Sequence, residues 1–130
     1  MGAVMNRKDA RSLTLGKGRR GRFEVVKLVL RNDDGTVDEL EVEVRAPTYG
    51  QRQRILGSSS KDASETQVAL QAALEATLAC TFVDGQQLFE EGDRKMLVDS
   101  ASGVLVINQV APIVMKLIAE TPEERVVEKN

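Results

Sequence analysis

A single cysteine, Cys80, and paired carboxylates at Asp33–Asp34, Asp38–Glu39, Glu90–Glu91 and Glu123–Glu124 are the side chains of this 130-residue sequence best suited to chemistry. A thiolate can attack an electrophile, and two neighbouring carboxylates can divide acid and base roles or hold a cation. The sequence contains no histidine, which removes His-based triads, proton shuttles and the commonest metal ligand. Cys80 sits in an alanine-rich run beside Thr77 and Thr81, the setting of a small buried hydrophobe rather than a reactive thiol. Being alone, it can form no internal disulfide. The carboxylate pairs fall in a turn, at a strand edge and at helix starts, where water solvates them. There is no GxxxxGK[ST] phosphate loop, and "GKGRRG" follows no strand, so it is not a dinucleotide fingerprint. These residues predict no enzyme, no metal, no cofactor and no small-molecule substrate.

Charge is segregated. Residues 1–22 carry seven bases and one acid, net +6, whereas the rest carry eleven bases and nineteen acids, net -8. A basic segment rich in glycine, "LGKGRRGRF", could neutralise phosphates. Only Phe23 lies near it to stack on bases, and the acidic remainder would repel a nucleic-acid backbone, so nucleic acid is not the expected partner. The segment 1–21 shows no sustained apolar period and is expected to be disordered. The opening "MGAVMNRKDARSL" has no apolar core of a secretory signal, and Asn6 stands where a myristoylation motif wants Ser or Thr.

The elements that position the rest follow from periodicity. "FEVVKLVLR" (23–31) and "VDELEVEVR" (37–45) alternate as strands, with Leu40, Val42 and Val44 on one face of the second. A three-residue loop, Asp33 to Gly35 with Gly35 left-handed, pairs Leu28 with Leu40, Val26 with Val42 and Lys27 with Glu41. A two-residue loop would instead set Lys27 against Val42. Pro47 ends the second strand, and Thr48–Gln51 has capping-box spacing for a short helix stopped by Gly57. "GSSSK" is a joint. Ser64–Gln67 opens a longer helix to about Thr81, with Leu70, Leu74 and Leu78 as its core stripe. "VDGQQLF" makes a turn or small hairpin at Asp84–Gly85, and Asp93 caps a short helix holding Met96, Leu97 and Val98. Thr121, Pro122 and Glu124 read as the start of a short charged tail helix, or of a frayed end.

Between Ser102 and Glu120 lies the most apolar element. Thirteen of the sixteen residues in "VLVINQVAPIVMKLIA" (104–119) are apolar or proline, and Asn108, Gln109 and Lys116 are the exceptions. Those polar residues interrupt a stretch already shorter than the ~20 that span a bilayer, so no membrane is expected. As a helix it carries a polar strip (Ser102, Gln109, Pro112, Lys116) and apolar residues on both sides. One side has Val104, Ile107, Ala111, Val114 and Ile118. The other has Val106, Val110, Ile113 and Leu117. Such a helix is either wrapped by its neighbours or meets another chain with its second face. Periodicity leaves open which stripe points inward.

The order of elements resembles the tail assembly chaperones of long-tailed bacteriophages. The resemblance runs over roughly residues 38–130. It rests on Arg45, Pro47 and Thr48 at the strand-to-helix junction, on Asp84, Gly85, Leu88 and Phe89 followed by Asp93 and Leu97, and on the closing "ETPEERVVEKN". It implies a small protein of the host cytoplasm, absent from the mature virion, that binds the tape-measure protein, keeps it soluble and helps recruit tail-tube protein. Val106, Val110, Ile113 and Leu117 are then the expected partner-binding residues, with self-association as another use of the same stripe. Leu70, Leu74, Leu78 and Val114 are the expected core. A structural tail component and a small nucleic-acid-binding regulator are the rival readings. The expected architecture is α+β: a β-hairpin over 22–46, a small helical bundle over 48–121 and a short charged tail over 122–130.

Overall fold

A computed structural model of the chain describes residues 6–15, 21–57 and 64–128, the stretch 121–128 as backbone only. The fold is α+β. Strands β1 (Phe23–Arg31) and β2 (Val37–Arg45) pair antiparallel in the expected register, Leu28 with Leu40, Val26 with Val42 and Lys27 with Glu41. The turn is the three-residue loop: Asn32 N–H bonds Thr36 C=O at 2.9 Å, and Gly35 takes φ +88°, a conformation open to glycine. Asp34 Oδ1 accepts from both the backbone N–H and the hydroxyl of Thr36, which holds its carboxyl below the ordinary aspartate range.

The hairpin is half of a larger sheet. After helix α2 (Tyr49–Gly57) and helix α3 (Glu65–Cys80), the chain returns as β3 (Thr81–Val83) beside β2 and turns back as β4 (Gln86–Gln87), giving the order β1-β2-β3-β4. The β3–β4 turn is Asp84–Gly85 at φ 53° and 77°, the two-residue hairpin that Asp-Gly favours. Both expected capping boxes form: Thr48 with Gln51 before α2, and Ser64 with Gln67 before α3. The joint expected at "GSSSK" falls, beyond Gly57, outside the described residues.

Four expectations need correction. Arg7–Leu15 forms a helix, α1, within the segment expected to be disordered. Asn6 Oδ1 accepts from Asp9 N–H at 2.8 Å, a local cap that composition alone does not reveal, and α1 buries no residue. Asp93 closes a 3-10 turn over Glu91–Asp93 by accepting from Glu90 N–H at 2.8 Å. It makes no side-chain cap to α4 (Arg94–Asp99). Helix α5 runs unbroken from Ala101 to Glu128, through the break expected at Thr121–Pro122, because extending a formed helix avoids the cost of a new nucleus. Leu70, expected in the core, is 65% exposed, while Leu74, Leu78 and Val114 are buried as expected.

The core lies where α5 crosses the inward face of the hairpin. Leu28, Val42 and Val44 from the sheet meet Val106, Val110, Val114, Leu117 and Ile118 from α5, with Ala72, Ala76 and Cys80 of α3 and Ile55 of α2 closing the cluster. Leu74, Leu78 and Leu97 form a second cluster between α3 and α4. Three polar pairs set α5 antiparallel to β1: Glu120 to Arg22 (3.1 Å), Lys116 to Glu24 (2.7 Å) and Gln109 to the backbone of Val29. The Glu24 hydrogen bond raises Lys116 above the ordinary lysine range. The start of α5 is fixed by Ser100, whose Oγ accepts from Gly103 N–H at 3.0 Å. Gly103 is obligatory there, since a Cβ would lie 2.1 Å from the carbonyl oxygen of Leu97.

Two outcomes are expected. Gly103→Ala forces α4 away from α5 and should lower stability by about 1–3 kcal/mol, the range for overpacking, seen as a lower urea midpoint at unchanged slope. Asp34→Asn keeps an acceptor and removes the charge. The folded-state pKa of Asp34 lies below 3.8, so its charge stabilises the fold above that pH and stops doing so as pH falls through the folded value. Thermal melts should therefore place the variant below the parent at pH 7, with the gap closing as the solution is acidified below that range.

Candidate partner-binding surfaces

Of the residues best suited to chemistry, Cys80 and Glu91 are placed as structural groups. Cys80 is 1% exposed, and burial pushes its thiol up to about 12, far from a thiolate at neutral pH. The buried hydroxyls of Thr77 and Thr81 donate to the carbonyls of Ala73 and Thr77, each at 2.9 Å. Among the described residues no cluster of Cys, Asp and Glu has metal-holding geometry. A cavity of about 180 Å³ opens between α2, α3 and the segment after β4, bordered by Arg54, Glu75, Gln87, Glu90 and Glu91. Glu75 is already committed. It accepts a two-point contact from Arg94 and a bond from Gln71 Nε2 at 3.0 Å, while Arg94 also reaches Glu91 at 2.7 Å. Glu75, ahead of Glu91, drives the guanidinium further above its already high range. This cluster ties α3 to the start of α4.

The residues that carry the family resemblance are also framework. Arg45 lies 4.0 Å over the Phe82 ring and bonds Glu43, joining β2 to β3. Thr48 caps α2, Asp84 and Gly85 form the turn, Leu88 and Phe89 pack on the core, and Leu97 is buried.

Most of the expected partner-binding stripe is covered within the chain itself. Val106, Val110 and Leu117 are 7%, 0% and 1% exposed, and Ile113 is half-buried. The burial has a simple cause: Val106, Val110 and Leu117 share one core cluster with Val114 and Ile118 and with residues of the hairpin and of α3, so residues of both apolar stripes are used within one chain. The 101–120 stretch is long and apolar enough to cross a membrane by length and composition, and in this fold its apolar arc is the core. Solvent meets Ser102, Val104, Asn108, Pro112 and Lys116 instead.

Apolar surface is left elsewhere. On α2 the stripe Tyr49, Arg52, Gln53 and Leu56 follows helical spacing around a shallow depression of about 530 Å³, with Tyr49 64% and Leu56 53% exposed. Capping fixes its start at Thr48, and Ile55, 1% exposed, turns an adjoining side into the core. The spacing of Tyr49 and Leu56, seven residues apart, was the available sequence signal for this surface. Val25, Val29 and Val37 lie on the outward face of the hairpin, and Met96 and Val98 are exposed on α4.

Val110→Asp should unfold the protein rather than only abolish binding. An unpaired buried carboxylate costs several kcal/mol or more, comparable with the ~5–15 kcal/mol that holds a domain together. Loss of the cooperative thermal transition would show it; a variant that melts like the parent would return this stripe to the surface.

No protein-family model matches the chain, and neither a curated protein nor a solved structure matches it.

Proposed function

We propose that the chain is a non-enzymatic tail assembly chaperone of a long-tailed phage. It binds the tape-measure protein in the host cytoplasm, keeps it soluble and helps bring tail-tube protein to it, without entering the mature virion. The resemblance over residues 38–130 supplies the candidate. The observation that carries it is the α2 surface: a stripe with Tyr49 and Leu56 turned to solvent on a chain whose residues 23–130 are net acidic. A holdase needs apolar side chains that an apolar client can cover, on a body that stays soluble through net charge. The committed states of Cys80 and Glu75 favour binding over catalysis.

The test is co-expression of the full chain with the tape-measure protein from the same source. The tape measure should stay soluble and co-purify, and the double variant Tyr49→Ser/Leu56→Ser should lose that effect while melting cooperatively. Rescue by the double variant would move the site off α2. Absence of rescue by the parent chain, with the protein found in purified virions, would replace the chaperone with a structural tail component.

A further inference from the structure

Among the described residues the sheet has a long free edge. β1 is the outermost strand, and its hydrogen bonds alternate: the even-numbered residues bond β2, and Arg22 C=O continues the pattern by accepting from Ala46 N–H at 2.7 Å. The odd-numbered residues therefore turn N–H and C=O away from the sheet. Edges of this kind recruit further strands unless something blocks them. Here the block is one side chain. Gln109 on α5 accepts from Val29 N–H at 2.8 Å and donates to Val29 C=O at 2.9 Å, presenting to the edge the donor and acceptor of a strand residue. The same amide nitrogen also donates to Leu105 C=O at 2.9 Å. On either side of this plug, the outward backbone groups of Val25, Lys27 and Arg31 meet no partner among the described residues.

We propose that the β1 edge pairs antiparallel with the β1 edge of a second copy of this chain, and that Gln109 is the latch that competes with this pairing. The strand is self-complementary in one register. With Leu28 opposite Leu28 of the second copy, Val26 falls opposite Leu30, so the inward face stays apolar across the junction. On the outward face Lys27 stands opposite Val29 and Arg31 opposite Val25, with no like charges directly facing. Sliding to the neighbouring hydrogen-bonded register sets Lys27 against Lys27 and Glu24 against Leu30. In the favoured register the groups of Val29 bond Lys27 of the second copy, so the Gln109 amide must leave. Leu105 and Pro112 share the side of α5 that carries Gln109, so the two α5 helices approach beneath the joined sheets and add a second layer to the contact. This pairing does not depend on the chaperone reading, because it needs no other protein.

Sedimentation velocity of the full chain over a concentration series tests it. Gln109→Ala should dimerise about tenfold more tightly than the parent, the scale of one or two net hydrogen bonds. Lys27→Pro should be monomeric, alone and combined with Gln109→Ala. Its outward N–H serves no bond within the hairpin, so proline removes an edge donor and leaves the hairpin ladder whole. Independently of any variant that misfolds, amide exchange at Val25, Lys27 and Arg31 of the parent should slow as concentration rises. A dimer indifferent to Lys27→Pro overturns the proposal, as does a monomeric Gln109→Ala without concentration-dependent protection. Protection that appears only with a co-expressed tape measure assigns the edge to a foreign strand and overturns self-pairing too.

Discussion

Everything in this fold depends on α5 being covered from two directions. Val110 and Val114 are fully buried on the same helix, one from each of its two apolar stripes, in a cluster that also holds residues of the hairpin and of α3. A helix in that position needs an apolar arc wider than a surface helix has, and it needs neighbours that approach closely. The alanines at 72 and 76 supply the close approach on α3, and the bare backbone of Gly103 supplies it at α4. Two polar residues of α5 are spent on one boundary: Gln109 and Lys116 fasten the helix to β1, the strand with no neighbouring strand on its other side among the described residues.

That constraint explains which parts of the structure could be read from the amino-acid order. The hairpin register was legible because a one-residue slip would invert both faces, and because Gly35 selects the turn. The two capping boxes were legible because each is a local pair of side chains three residues apart. The inward stripe of α5 was not legible. A helix covered on two sides offers apolar residues at almost every angle, so periodicity loses the contrast on which it relies. Hence Val106, Val110, Ile113 and Leu117 could be read equally as a partner face or as core, and in the fold three of the four are buried within the chain.

Other misses have different causes. Ser100 and Gly103 form a cap and a close contact at once, and a glycine at the third helical position does not advertise either role. β3 joins β2 across almost forty residues of sequence, and nothing local to "TFV" specifies that strand as its neighbour. The exposed stripe of α2 was visible as spacing but was masked by the stronger apolar signal further along. Polar committed groups proved easier to judge. Cys80 is buried as its alanine-rich surroundings suggested, because desolvation is set by the immediate neighbours.

The antiparallel contact between α5 and β1 joins residues eighty positions apart, Val29 and Gln109, and so concerns time as well as space. Hairpins form from neighbouring residues and quickly, whereas contacts of this span wait on the chain between them. On the ribosome, β1 and β2 are complete while the helix that covers them has yet to be made. Until Leu117 and Ile118 emerge, the nascent chain displays Val26, Leu28, Val42 and Val44 as an uncovered sheet. The interval between the emergence of β2 and the emergence of α5 is therefore the period when the hairpin is most open to premature association. A pause in translation there would prolong that exposure, and rapid completion would shorten it.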